Sequence, residues 1–378
     1  MPQAIFNFPA PLSSHQSHVG YDARLALGNY RGMGAWMREL IRGREAELLG
    51  FCASGESDPL LHLQTGGARF FPLWEQFSLP RHVEASNVTT LVCSWNTAPL
   101  HLSPRVRLIL AIHDLIYLEP FRRLPMSRSL FQNAGRLYRR WVAPRAIRKA
   151  YKILVPSNSI KHDLTNMALV DPSRITVIPN TIAENWFDLP ALSPSLATPP
   201  VILCISGEAP SKNLERGIQA LALLNRSHGP LTLRIGGVSR RFHARFSRLA
   251  QTLGIDSSIE WLPFLEEAQL QECYRMADVV FVPSLYEGFG RPLLEAMAAE
   301  TPVVATDIPV LREIGGGAPK YCDPHSPVSM AQALTEVLTS TSLRASMKRK
   351  GSLQALAYHP VEVRKQIDCF WHSLDRSS

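Results

Sequence analysis

The stretch that decides the fold is Pro283–Ile308, PSLYEGFGRPLLEAMAAETPVVATDI. The apolar run just before it, Val279-Val280-Phe281-Val282, reads as a buried parallel strand. Pro283 ends that strand, and a loop with Gly288 and Gly290 follows. Pro292 sits where a first helical residue would, and Leu293, Leu294, Ala296, Met297 and Ala298 carry the helix on. Pro302 to Ala305 closes the unit as a second strand. The loop therefore sits at the carboxyl end of a strand, where open α/β sheets bind ligands. Glu287 lies in the loop and Glu295 eight positions later. Both can face a ligand resting on the helix N-terminus, which offers free N–H groups and the positive end of the helix dipole. Two carboxylates at this spacing alone are commonplace surface residues, so the weight falls on the string around them.

A chain of 378 residues suits two domains, and 46% hydrophobic content is ordinary for a globular protein. No apolar run approaches the length of a membrane span. The first 17 residues lack a basic start and an apolar stretch, so no signal peptide is expected. Six scattered cysteines without a C-x-x-C pair read as reduced packing residues of a cytosolic protein, with no metal site. The net charge of +8 is uneven. Residues 1–190 hold 21 Lys and Arg against 14 Asp and Glu, and the remainder holds 19 against 18. Between Phe121 and His162 there are eight Arg and three Lys and no acid. That window is either a solvated basic face or a surface for anionic lipid headgroups and lipid-pyrophosphate acceptors, with Arg136, Arg139 and Arg140 as its centre. No nucleic-acid module accompanies it, so nucleic acid is not an expected partner.

In chain order, Val19–Arg24 reads as a first strand, and Gly32 and Gly34 precede a helix. Thr89–Ser94 and Val106–Ile112 read as strands, the second delivering His113 and Asp114 to the sheet edge. A basic helix spans residues 128–151. Lys152–Pro156 is a strand, Ser157 caps a helix, and RITVIPN is the last strand of this half. Pro and Ser crowd residues 189–200, a linker. A second α/β half starts at Val201. Its first strand leads to Ser211-Lys212-Asn213, where Ser211 or Asn213 could cap the next helix. Strands follow at Leu231–Ile235 and Ile259–Leu262, with Pro263, Phe264 and Leu265 after the latter. The chain ends in an amphipathic helix whose expected apolar face is Val361, Ile367, Phe370, Trp371 and Leu374.

The string EGFGRPLLEAMA, with PSLY before and TPVVATD after it, resembles the signature of retaining glycosyltransferases of family 4. VGYDAR with RGMGAW, HDL with Glu119-Pro120, ILVPSNSIKHDL, SKN and LREIGGGAP resemble further motifs of that family. The resemblance implies an α/β protein of the GT-B fold, two Rossmann-like domains facing across a cleft. Its implied parts are an extension over 1–18, an acceptor-side domain over 19–188, the linker 189–200, a nucleotide-sugar domain over 201–357 and a helix over 358–378 crossing back to the first domain. It also implies roles. Glu287 lies beside the donor sugar, His113 contacts its hydroxyls, and Glu295 binds the ribose. The backbone of the Gly288–Pro292 loop, with Phe289, Gly290 and Arg291, holds the donor, and Leu265 lies against the base. Gly32 and Gly34 face the diphosphate and the acceptor. Lys212 neutralises the leaving diphosphate.

Three positions depart from the family pattern. Thr181 stands where the family continues Pro-Asn with Gly, and a turn of positive φ there would disfavour Thr. Ser211 stands where the family has Arg, so either Arg291 or Arg31 substitutes or stabilisation of the leaving group is weaker. Glu300 stands where Gly precedes Thr-Pro, which puts the helix end in question. No D-x-D pair suggests a metal, so no cofactor is expected. The expected activity is retaining sugar transfer from a nucleotide-sugar, GDP-mannose first and a UDP-sugar such as UDP-glucose second. The acceptor is a polysaccharide or a lipid-linked glycan. The expected place is the inner face of the cytoplasmic membrane, as in bacterial mannosyltransferases of lipopolysaccharide or exopolysaccharide synthesis. A catalytically impaired homologue that binds sugar or a partner is the alternative, resting on Ser211 and Thr181. A sugar-nucleotide epimerase of the same fold is disfavoured by the paired glutamates.

Overall fold

The structure, a computed structural model, describes residues 18–28, 32–127, 129–189 and 199–376. Nearly all of the expected extension, most of the linker, Arg128 and the candidate Arg31 lie outside the described residues. The chain forms two parallel sheets. The first is built from β1 (Val19–Asp22), β2 (Leu49–Cys52), β3 (Leu63–Thr65), β4 (Thr90–Cys93), β5 (Arg107–Ala111), β6 (Lys152–Val155) and β7 (Ile175–Val177). Between them run α1 (Met33–Ile41), α2 (Phe71–Leu73), α3 (Leu79–Glu84), α4 (Leu130–Lys149) and α5 (Asn158–Asn166). The strand order is β3-β2-β1-β4-β5-β6-β7. Residues 42–88 carry little periodic signal in the sequence, and the reason is local. β2 is only LGFC, β3 is a partly exposed edge, and Pro72 and Pro80 break the following helix into short pieces around a π turn at Trp74–Ser78.

The second sheet holds β8 (Val201–Ile205), β9 (Thr232–Gly236), β10 (Ile259–Trp261), β11 (Val279–Val282), β12 (Val303–Thr306) and β13 (Lys320–Cys322). Its helices are α6 (Leu214–His228), α7 (Arg240–Leu253), α8 (Glu267–Arg275), α9 (Arg291–Ala298), α10 (Pro309–Gly315), α11 (Pro327–Thr339), α12 (Thr341–Ala355) and α13 (Pro360–Asp375). The order is β10-β9-β8-β11-β12-β13, the doubly wound pattern. Strand residues alternate between two cores. Ile202, Cys204, Val279, Phe281 and Val304 enter one, while Leu203, Val280, Val282, Val303 and Ala305 enter the other. Helices cover both faces, so these strands are apolar throughout rather than alternating. The compact units divide at 111/112, 141/142 and 153/154 rather than at residues 189–200, giving residues 1–111 with 142–153 and residues 112–141 with 154–378.

Several expectations are corrected. Gly34 lies inside α1, with Gly32 as its N-cap. Val361 is exposed on α13, and Val363 takes its place in the buried stripe. Thr181 needs no positive φ. Instead its Oγ1 donates to the carbonyl of Tyr358 at 2.7 Å. All six cysteines are free thiols, and burial pushes Cys204 and Cys322 up to about 12.

Glu300 ends α9 in the left-handed region, φ 53°. Thr301 N–H donates to Ala296 and Glu300 N–H to Met297, so a Schellman ending is made without the glycine that favours it. A left-handed non-glycine residue costs about 1–2 kcal/mol, part of which glycine returns as unfolded-state entropy. Glu300→Gly should therefore stabilise the fold by about 0.5–1 kcal/mol in urea denaturation. A lowered midpoint would show that the Glu300 side chain contributes more than its backbone costs.

Candidate active site

The second sheet changes winding direction between β8 and β11, and the loops leaving these neighbours open a crevice at their carboxyl ends. The loop after β8 supplies Lys212, and the loop after β11 supplies Glu287. Lys212 Nζ lies 2.7 Å from Glu287 Oε1, and Ser284 Oγ donates to the same oxygen at 2.7 Å. Both bonds fall on Oε1, which leaves Oε2 as an acceptor for a ligand hydroxyl. The two loops are tied by backbone. Ser211, itself buried, accepts from Leu285 N–H at 2.7 Å. Asn213, not Ser211, is the N-cap of α6; it holds a left-handed φ of 56°, and its side chain makes no cap hydrogen bond. The Asn213 amide donates instead to the carbonyls of Pro283 and Pro324, each at 2.8 Å.

Gly288 is required by close approach, since a Cβ there would run into the carbonyl oxygen of His113. Gly290 is the N-cap of α9 at φ 102°, and Arg291, not Pro292, is its first residue. Phe289 is buried edge-on against Tyr358, so from this loop it is the backbone that is offered to a ligand. Glu295 is 6% exposed. Tyr274 Oη donates to its Oε2 at 2.8 Å, and Arg291 lies 3.4 Å from Oε1. Burial, reinforced by the Glu295 charge, holds the Tyr274 phenol far above its ordinary value. Arg291 is thus committed to Glu295, and the cation at the Ser211-Lys212 turn is Lys212.

The buried His113 lies in the same unit, its carbonyl against Gly288. Tyr286 Oη accepts from Leu115 N–H at 2.9 Å. Ser157 is the N-cap of α5, as expected, and its Oγ also donates to the Gly288 carbonyl. Glu313 accepts from the N–H groups of Asn158 and Ser159, each at 2.7 Å, placing a carboxylate on the positive end of α5. Ser284, Tyr274, Tyr286 and Glu313 were not singled out from the sequence. Tyr274, Tyr286 and Glu313 meet partners 21 to 171 positions away, and Ser284 is an ordinary loop serine three positions from Glu287. Leu265 packs against the second sheet's core.

Arg136 and Arg140 turn back onto their own neighbourhood. Arg136 donates to the carbonyls of Leu124 and Glu119 at 2.7 and 2.8 Å, and Arg140 to that of Leu118 at 2.9 Å. Both guanidiniums lie over the Phe121 ring. Burial, then Arg140, lowers the Arg136 pKa. Arg139 is half-buried on the same helix. Among the described residues no three His, Cys, Asp or Glu side chains gather as metal ligands, and no helix is long and apolar enough to cross a membrane.

The first sheet switches direction between β1 and β4, and a buried polar cluster lies there. Asp22 accepts from Trp74 Nε1 and from Arg24 N–H, both at 3.3 Å. Glu75 accepts from Thr97 Oγ1 at 2.5 Å. The Arg24 guanidinium stands 5.7 Å from the Phe71 and Trp74 ring centroids. Burial pushes the Asp22 carboxyl up to about 7, with Arg24 opposing and Glu75 adding to the rise.

Parts of the chain are similar to known proteins. Residues 191–354 match the Glycosyl transferases group 1 model, and residues 54–185 match the Glycosyltransferase Family 4 model. The chain thus has the GT-B glycosyltransferase architecture, two parallel-sheet Rossmann-like domains carrying these two family signatures. WaaG, a glycosyltransferase involved in lipopolysaccharide biosynthesis, has the same fold, with TM-score 0.70 over 93% of this chain and 99% of that one at 18% identity. So has Anabaena HepE in complex with UDP and glucose, with TM-score 0.70 over 94% and 99% at 18% identity. The O-antigen chain mannosyltransferase RfbU of Salmonella typhimurium is 24% identical over 53% of this chain and 55% of its own. The D-inositol 3-phosphate glycosyltransferase of Corynebacterium jeikeium is 39% identical over 27% of this chain and 25% of its own. The chain spans about half or less of the length of these curated relatives.

Asp22 sets a pH dependence. Its carboxyl binds a proton more tightly folded, about 7, than unfolded, 3.8. Its stabilising contribution is complete below the unfolded value and is lost as pH rises through the folded one. At 1.36 kcal/mol per unit the span is up to about 4 kcal/mol. Asp22→Asn should flatten the fall in stability between about pH 4 and about pH 7. Parallel urea curves for both proteins across that range would place the pH dependence elsewhere.

Proposed function

We propose that the chain is a retaining glycosyltransferase that moves a sugar from a nucleotide-sugar to a polysaccharide or lipid-linked glycan. The observation that carries this reading is the Lys212–Glu287 pair at the β8/β11 switch point, within the segment that matches the group 1 model. The chemistry to be supplied is cleavage of a sugar–phosphate bond. Lys212 supplies full positive charge where negative charge grows on the departing diphosphate, and the N-terminus of α9 and the glycine loop add partial charges. The acceptor hydroxyl attacks the anomeric carbon on the face that the nucleotide leaves, and its proton passes to the leaving phosphate oxygen. Glu287, fixed by Lys212 and Ser284, offers Oε2 to a donor-sugar hydroxyl. His113 orients the donor from the opposite loop, and Glu295 receives the ribose. The reaction so assigned needs no metal.

GDP-mannose is the first donor proposed, supported by the similarity to RfbU. A UDP-sugar is the second, supported by the shared fold with HepE, whose complexes hold UDP and UDP-glucose. The acceptor would be met at an anionic membrane face, a reading that rests on the acid-free window 121–162. The buried Ser211 in place of Arg is the observation that favours an impaired, sugar-binding homologue.

Calorimetric titration with GDP, UDP and a panel of nucleotide sugars identifies the donor. Glu295→Ala removes the ribose acceptor but also leaves the Tyr274 hydroxyl unsatisfied, whereas Glu295→Gln keeps an oxygen for it. Loss of a charge-assisted bond costs about 1.5–3 kcal/mol, so Glu295→Gln should weaken nucleotide binding about tenfold or more with the fold retained. Equal affinity for every nucleotide that binds the wild type would reject the ribose role. Lys212→Ala should lower single-turnover transfer by roughly a hundredfold, by analogy with loss of an oxyanion donor, and nucleoside monophosphate binding by less. Transfer at the wild-type rate would pass the phosphate role to another cation. Absence of donor hydrolysis and of transfer in the wild type, with binding intact, would select the impaired homologue.

A further inference from the structure

The basic window is rich in exposed charge, yet α4 also presents a run of bulky apolar side chains outward. Leu130 is 85% exposed, Phe131 84%, Trp141 55% and Leu137 50%. Residues 130, 137 and 141 recur at helical spacing and fall on one face, with Phe131 beside it at the helix start. From Leu130 to Trp141 the ridge runs about 16 Å, three turns. The opposite side of the helix is the one that packs, through Val142, Ala143, Ala146 and Ile147 farther along. Isolated exposed apolar residues need no explanation, but four bulky ones along one helix do.

We infer that this ridge inserts into the interfacial zone of a bilayer with anionic headgroups, and that insertion rather than charge alone holds the protein there. The occupant follows from the setting. Arg122, Arg123, Arg145 and Arg148 are exposed around the ridge, and no acid occurs between Phe121 and His162. Trp and Phe with cationic flanks suit the boundary between acyl chains and headgroups, where aliphatic stems lie on apolar surface and charges reach phosphate. A second copy fits poorly, because a twofold contact through this face would bring two acid-free basic surfaces together. Arg136 and Arg140 brace the segment before the helix, so they position the ridge rather than meet lipid. The inference deepens the membrane part of the proposed function and does not depend on the donor or the reaction.

The test is co-sedimentation with vesicles of phosphatidylcholine alone and of equimolar phosphatidylcholine and phosphatidylglycerol, at low salt and at molar salt. At molar salt the Debye length is about 3 Å, so exposed charges are screened while burial of apolar surface persists. The wild type should bind the anionic vesicles and remain substantially bound in molar salt. The fourfold variant Leu130→Ser, Phe131→Ser, Leu137→Ser, Trp141→Ser should bind them at least about tenfold more weakly, given what burial of each such side chain is worth. Unchanged urea unfolding shows that the variant is folded. Brominated acyl chains should quench wild-type fluorescence, and Trp141→Phe should remove most of that quenching. Binding by the variant equal to wild type, or quenching unaltered by Trp141→Phe, overturns the insertion. Wild-type binding abolished by molar salt also overturns it and leaves the electrostatic reading standing. No binding to either vesicle removes both. A dimer that the fourfold variant dissociates, with no response to lipid, assigns the ridge to a second copy.

Discussion

A carboxylate taken out of water must be met by donors, and two such carboxylates govern the ligand loop of the second sheet. Glu287 receives Lys212 from the loop after β8 and Ser284 from its own loop. Glu295 receives Tyr274 from α8 and Arg291 from one turn earlier on α9. Each glutamate therefore pins a different pair of elements together. The buried hydrogen bonds of Ser211 and Asn213 to this loop make the arrangement rigid before any ligand arrives, which is what preorganised electrostatics requires.

The alternation of apolar strands and helices was legible from composition and period, because both sheet faces are covered and the central strands β8, β11 and β12 are continuous hydrophobic runs. Residues 42–88 were not legible, since a four-residue strand with a central glycine and helices broken by Pro72 and Pro80 carry too little period. The ligand loop was legible as a motif, yet the partners that fix its carboxylates were not. Tyr274 and Ser284 are ordinary residues whose meaning lies in contacts across 21 and 3 positions. Glu313 meets α5 across 155 positions, and no local pattern announces it. Thr181 and Glu300 show the converse. Both looked like misplaced residues because a preferred glycine was absent. Thr181 sits in a turn without positive φ, and Glu300 accepts the left-handed conformation with every Schellman hydrogen bond in place.

Charge counting alone gave α4 the wrong emphasis. A run of arginines suggests a surface built from those arginines, but a guanidinium has five donors and finds carbonyl oxygens readily. Arg136 and Arg140 are consumed in that way, over Phe121 and the carbonyls of residues 117–125. Long cationic side chains with aromatic neighbours act here as internal braces, and their removal would disturb packing as much as charge.

Ser211, where the family resemblance implies Arg, has a structural reason to be tolerated. Its side chain is 4% exposed, and its carbonyl anchors Leu285. A small hydroxyl fills that buried place without carrying a charge into it, whereas an uncompensated guanidinium there would cost several kcal/mol unless it reached a ligand. The burden of positive charge then falls on Lys212, already held by Glu287. An ammonium is a point charge with three rotatable donors, not a planar fork. It can keep one bond to Glu287 while turning others to a phosphate, so the ion pair seen without ligand need not break for the cation to serve a diphosphate. Arg291 lacks that freedom, because releasing it would leave the buried Glu295 with Tyr274 alone.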